Sequence, residues 1–132
     1  MNRTLLPPGW KKPKGYANGI AARGTQVFVA GQIAWNAEER FETDDFAGQA
    51  KQALQNIVTV LREAGAGPEH VVRLTWYVTD KHEYLGALPA VGAAYREVMG
   101  RHYPAMTLVE VRALVEDRAK VEIEATAVLP SG

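Results

Sequence analysis

The last third of the chain carries two alternating stretches. The first is Ala105-Met106-Thr107-Leu108-Val109-Glu110-Val111-Arg112-Ala113-Leu114, and the second is Ala119-Lys120-Val121-Glu122-Ile123-Glu124-Ala125-Thr126-Ala127-Val128-Leu129. A charged turn, Val115-Glu116-Asp117-Arg118, joins them. Apolar residues at period two are the signature of strands with one buried face. In the second stretch Val121, Ile123, Ala125 and Ala127 form the buried parity, and Glu122, Glu124 and Thr126 the other. In the first, Thr107, Val109 and Val111 share one side, and Met106, Leu108, Glu110 and Arg112 the other. The second face of the sheet is therefore expected to mix Met106 and Leu108 with carboxylates. A face of that kind suits a subunit interface, and so a homo-oligomer. An ordinary exposed amphipathic face is the alternative.

Moving upstream, Leu88 to Met99 has a helical pattern, bounded by Gly100 and Pro104. Val71 to Val78 reads as a strand and Asp80 to Leu85 as a connector. Phe46, Ala50, Ala53, Leu54, Ile57, Val60, Leu61 and Ala64 recur at helical spacing and predict one buried stripe. Thr43-Asp44-Asp45 supplies N-cap candidates, and Gly65-Ala66-Gly67-Pro68 a stop. Before this helix, Gln26 to Ala34 reads as a strand with Val27, Val29 and Ile33 on one face. Gly31 within it marks a bulge or a close approach by another group. Tyr16 to Ala21 is predicted as a further strand, with Arg23-Gly24-Thr25 as a hairpin turn between the two. Residues 1–15, punctuated by Pro7, Pro8, Gly9 and Pro13, read as an N-terminal arm. The expected order is β-β-α-β-α-β-β. Two helices on one face of a mixed sheet make a two-layer α+β domain, a single one over residues 1–132.

Composition narrows the function. The 132 residues carry 15 Lys plus Arg and 15 Asp plus Glu. That balance gives no reason to expect nucleic acid or an anionic membrane as partner. Cysteine is absent, which excludes a thiol nucleophile, a disulfide and a thiolate metal site. With only three His, no metal site is expected, and no cofactor motif is found: the Gly31 context lacks a phosphate-loop pattern. No apolar run approaches the ~20 residues of a membrane span. The N-terminal stretch lacks the apolar core of a signal peptide, so a cytoplasmic location is expected.

Several segments together resemble the Rid family, also called YjgF-like. They are Tyr16 in KGYANGI, VFVAGQI at 27–33, QAKQALQNIVTVLREAGAG at 49–67, VVRLTWYVTD at 71–80, Tyr103-Pro104-Ala105, and VEIEATAV at 121–128. The resemblance implies a chorismate-mutase-like subunit, a homotrimer, and intersubunit clefts that bind small molecules. It also implies hydrolysis of reactive enamines and imines to ketones and ammonia. Some members carry an endoribonuclease label, which the charge balance does not favour. The family's Pro-Ala-Arg, whose arginine grips the substrate carboxylate, corresponds to Pro104-Ala105-Met106. Its usual serine before Gly-Gln corresponds to Ala30, and a frequent asparagine to Gly92, three residues before Tyr95. Glu122 stands at the family's water-positioning glutamate.

The resemblance thus implies Glu122 as catalytic residue, and Tyr16, Ala30, Gly31, Gly92, Met106 and Leu108 as substrate-binding positions. A carboxylate suits imine hydrolysis, because it can accept a proton from water and favour the iminium by charge. Met106 offers neither charge nor donor, so a non-standard substrate is expected. Alternatives remain for each residue. Glu122 and Glu124 could be paired surface acids, and Tyr16 a packing aromatic. Met106 and Leu108 could tighten a trimer. Trp35 and Trp76 could line a site or anchor the core. Arg73, Arg112 and Lys120 could replace the missing cation, and His102 could be an acid or base or a loop histidine. At the level of the whole protein, the alternative is a non-catalytic metabolite-binding or chaperone-like trimer.

Overall fold

In the computed structural model, which describes residues 2–130, both closing alternations are strands: β5 at Ala105–Glu110 and β6 at Val121–Leu129. They are consecutive but not neighbours. β6 lies between β3 (Thr25–Gln32) and β4 (Val71–Val78), and β5 sits outside β4, giving the order β3-β6-β4-β5. β4 and β5 run parallel, and the other pairs antiparallel. The sheet is mixed, as expected.

The register sets which residues share a face, because directly opposed residues point the same way. Leu74 stands opposite Met106 and Ala125, and Trp76 opposite Leu108 and Ile123. All belong to the helix-covered side, where Val121, Ile123, Ala125 and Ala127 are buried and Met106 and Leu108 pack at the margin of the core. The open side carries Thr107 and Val109 beside Thr75 and Tyr77, and these beside Glu124 and Glu122. The expected mixing of Met106 and Leu108 with the carboxylates is therefore corrected. Both parities of β5 hold apolar residues, so alternation alone does not say which one faces the core.

Helix α1 (Phe46–Glu63) covers the sheet. Asp45 caps it, its side chain accepting from Gly48 N at 2.9 Å. At the other end Ala66 N donates to Leu61 O and Gly65 N to Arg62 O, with Gly65 at φ 75° supplying the left-handed residue. The buried stripe is as read except at Val60 and Ala64, which are exposed, while Val58 and Gln49 are buried. Gln49 is fully satisfied: Nε2 donates to Thr43 O and Arg118 O, and Oε1 accepts from Lys120 N. Helix α3 (Leu88–Met99) packs beside α1 through Val91, Ala94, Tyr95 and Met99.

Three local expectations change. Arg3–Leu5 forms a short strand, β1, that pairs with β2 (Gly19–Ala21), so the arm is partly structured. Because β2 pairs with β1 and β3 with β6, Arg23-Gly24-Thr25 closes no hairpin. Lys81–Leu85 is a one-turn helix, α2, capped by Asp80 through His82 N. Three exposed residues and a single helical turn are too short to show periodicity. Among the described residues no helix is long and apolar enough to cross a membrane.

Candidate functional site

The predicted site residues fall into two groups. The first lies on the open face and its β3 edge. The β3–β6 register shifts between Val29 and Gln32, which is the bulge expected at Gly31. Gly31 also meets the second expectation, a close approach. A Cβ built there would overlap the Glu122 carboxylate, which lies across the strand at this point. Glu122 makes no ion pair among the described residues. Glu124, next on the same face, accepts from Tyr77 Oη at 3.4 Å. Ala30 is exposed, and its carbonyl accepts from Gln32 Nε2 at 3.0 Å.

The second group surrounds a cavity of about 390 Å³ on the helix side. Tyr16, Gly92 and Met106 line it, with Trp76, Tyr84, Leu88, Val91, Tyr95, Tyr103, Lys14, Gly15 and Arg96. Local structure explains how they meet. Ala17 N donates to Pro104 O at 2.9 Å and Ala17 bridges Ala105, which lays Tyr16 beside the start of β5. Tyr95 stacks on Tyr103 at 5.5 Å between centroids and 13° between planes. The Tyr95 hydroxyl donates to His102 O at 2.5 Å, and His102 Nε2 donates to Val71 O at 2.6 Å. His102 thus fastens the loop between α3 and β5 to β4 and does not face the cavity as an acid or base. Burial pushes the Tyr84 and Tyr95 hydroxyls above the usual phenol range, so both stay protonated at neutral pH.

Leu108 packs against the core and does not line this cavity. Trp76 does both: it is 2% exposed and forms part of the wall. Trp35 lines a separate open hollow with Phe41 and Arg118. Of the candidate replacement cations, Lys120 is held by Glu83 at 2.7 Å. Arg112 belongs to another hollow with Asp80 and Lys120, and Arg73 faces the open side opposite Thr126. None of the three reaches the Met106 cavity. The cations there are Lys14 and Arg96, and the sequence pattern did not single out Arg96. Its signal was the spacing: Arg96 is four residues after Gly92, one turn along the same helix face. No group of three or more potential metal ligands occurs among the described residues.

A family model described as endoribonuclease L-PSP matches residues 11–129. A RutC family protein of Synechocystis sp. is 37% identical over 118 residues, covering 88% of this chain and 87% of the relative. A 2-iminobutanoate/2-iminopropanoate deaminase of Salmonella typhimurium is 32% identical over 116 residues, 86% of each chain. Among solved structures, the Rid family protein YyfB of Yersinia pestis matches with a TM-score of 0.85 at 32% identity, covering 97% of this chain and 98% of that one. The fold, the length of the match and these relatives agree: the chain belongs to the endoribonuclease L-PSP family, the Rid or YjgF-like proteins.

Proposed function

We propose that the protein hydrolyses a reactive enamine or imine to a carbonyl compound and ammonia, in clefts between the subunits of a homotrimer. One observation carries this reading. Tyr16, Gly92 and Met106 gather at a helix-side cavity, whereas Gly31 and Glu122 lie on the opposite face of the same sheet. A single protomer cannot bring the two groups to one substrate; a neighbouring copy seated on the open face can. Phe28, 70% exposed on β3, and Val109, 41% exposed on β5, give that face apolar contact area.

The chemistry needs only water as co-reactant. Water attacks the carbon of the protonated C=N while Glu122 accepts a proton from it. The resulting carbinolamine takes a proton on nitrogen, the C–N bond breaks, and ammonia leaves as the carbonyl forms. One imine and one water thus give one carbonyl and one ammonia. The glutamate charge also favours the iminium over the neutral imine. The substrate is non-standard, because Met106 cannot form the paired hydrogen bonds of a guanidinium with a carboxylate. The reading involves no cofactor, nucleic acid or membrane.

The test follows ammonia release from a panel of enamines and imines formed in situ from amino acids. At least one member with an apolar body is expected to turn over, and Glu122→Gln to lower that rate by about 10²-fold or more with assembly unchanged. The imine of 2-oxobutyrate is expected to react slowly, and Met106→Arg to speed it. Turnover indifferent to Glu122→Gln overturns the reading. Binding without turnover across the panel would make the protein a metabolite-binding trimer instead.

A further inference from the structure

The Met106 cavity has an unusual balance of groups. Two cations, Lys14 and Arg96, line it, and no carboxylate does. Neither cation is held in an ion pair among the described residues. The Arg96 guanidinium lies across Gly92: a Cβ there would stand 3.2 Å from Nη1. A larger side chain at 92 would contest that space. Gly92 therefore leaves the lane along which Arg96 reaches over the cavity.

The second feature of the cavity is its wall. The Trp76 indole Nε1 is buried and has no hydrogen-bond partner. Trp76 itself is 2% exposed and forms part of the cavity wall. The remaining wall is largely apolar and aromatic: Tyr84, Leu88, Val91, Tyr103 and Met106. A volume of about 390 Å³ is in the range of small-molecule sites. A ligand that suits these walls carries one negative charge and a flat apolar body.

We propose that this cavity takes a monocarboxylate with an aromatic body, and that Arg96, from helix α3, anchors its carboxylate. A guanidinium is suited to the task because its paired donors match the two carboxylate oxygens. Lys14 adds charge at the mouth as a point cation. The aromatic body lies among the tyrosines and Met106, whose thioether adapts to ring edges. The loss of a guanidinium at the start of β5 is offset by one on the facing helix, and the thioether widens the apolar part of the pocket. This inference names the ligand class of the cavity used in the proposed function and rests on that reading for its link to chemistry.

The experiment measures binding, so that it fails separately from turnover. Phenylacetate and its neutral analogue phenylacetamide are titrated into the full-length ¹⁵N-labelled protein. The indole N–H signals of Trp10, Trp35 and Trp76 are followed, with Trp76 assigned through Trp76→Phe. Phenylacetate is expected to shift the Trp76 signal and to bind about tenfold or more tightly than phenylacetamide, a typical margin for a charge-assisted pair. Arg96→Gln should erase that margin while phenylacetamide binds as before, and Arg96→Lys should restore part of it. Equal binding of acid and amide, an unmoved Trp76 signal, or an Arg96→Gln protein that still prefers the acid overturns the proposal. Arg96-dependent binding without ammonia release refutes the hydrolase reading alone. Ammonia release without acid preference refutes this one alone.

Discussion

At Gly31 the missing side chain is what lets the Glu122 carboxylate lie across β3. The strand tolerates glycine at a bulge, and the glutamate occupies the vacated space. Gly31→Ala is expected to fold, because the displaced atoms are the end of a flexible side chain. It should push the carboxylate off its line and cut ammonia release about tenfold or more, approaching Glu122→Gln. Steady-state rates with circular dichroism as the folding control check this; unchanged rates would show that the contact is only packing. The residue was legible in the sequence because a glycine inside a Val-rich strand has few physical reasons to be there. Arg96 was not. An exposed arginine on a helix reads the same whether water or a cavity surrounds its guanidinium, and only the Gly92 lane distinguishes the two.

Among the elements, α1 carries the most legible signals: a cap at Asp45, a stop at Gly65 and an apolar stripe between them. Gln49 breaks that stripe for a structural reason. Its amide joins Thr43 before the helix to Arg118 and Lys120 at the start of β6, with all three bonds between 2.9 and 3.1 Å. Gln49→Leu keeps similar bulk but orphans Lys120 N–H and two carbonyls in a buried place. It is expected to cost about 2–4 kcal/mol in urea unfolding, read as a lower midpoint at unchanged slope. A cost under about 0.5 kcal/mol would mean that water replaces the amide. The polar residue escaped the periodicity because hydrophobic pattern ranks side chains by apolarity, and a satisfied amide has none. The β5 parity failed for a related reason: at a sheet edge Met106, Thr107, Leu108 and Val109 differ too little in apolarity to mark a face. The pairing of β1 with β2 depends on contacts sixteen residues apart or so in a three-residue strand, and no local pattern encodes it.

At the scale of the whole molecule, the proposed function ties chemistry to assembly, because the candidate residues lie on two faces of one sheet. A packed trimer would cover the open face, where Phe28 stands beside Thr126 on β6 with most of its ring in solvent. Burying a phenylalanine side chain is worth about 2 kcal/mol, and a threefold assembly collects this at every interface. Phe28→Asp removes that contribution and adds a third carboxylate to a face that already holds Glu122 and Glu124. Because the ring is exposed in the single chain, the substitution should leave the unfolding midpoint of the protomer nearly unchanged. Sedimentation velocity is expected to give a 14.4 kDa species for the variant and three times that mass for the unmodified protein. If Glu122 reaches substrate only in a neighbour's cavity, the monomer should lose ammonia release, whereas the Arg96-dependent preference for phenylacetate, built within one chain, should persist at reduced affinity. Mixing Phe28→Asp with Glu122→Gln does not restore activity in that case, since neither partner supplies both an assembled interface and a carboxylate. A variant that is monomeric yet fully active would show that one chain completes the site, and would remove the reason for placing it between subunits.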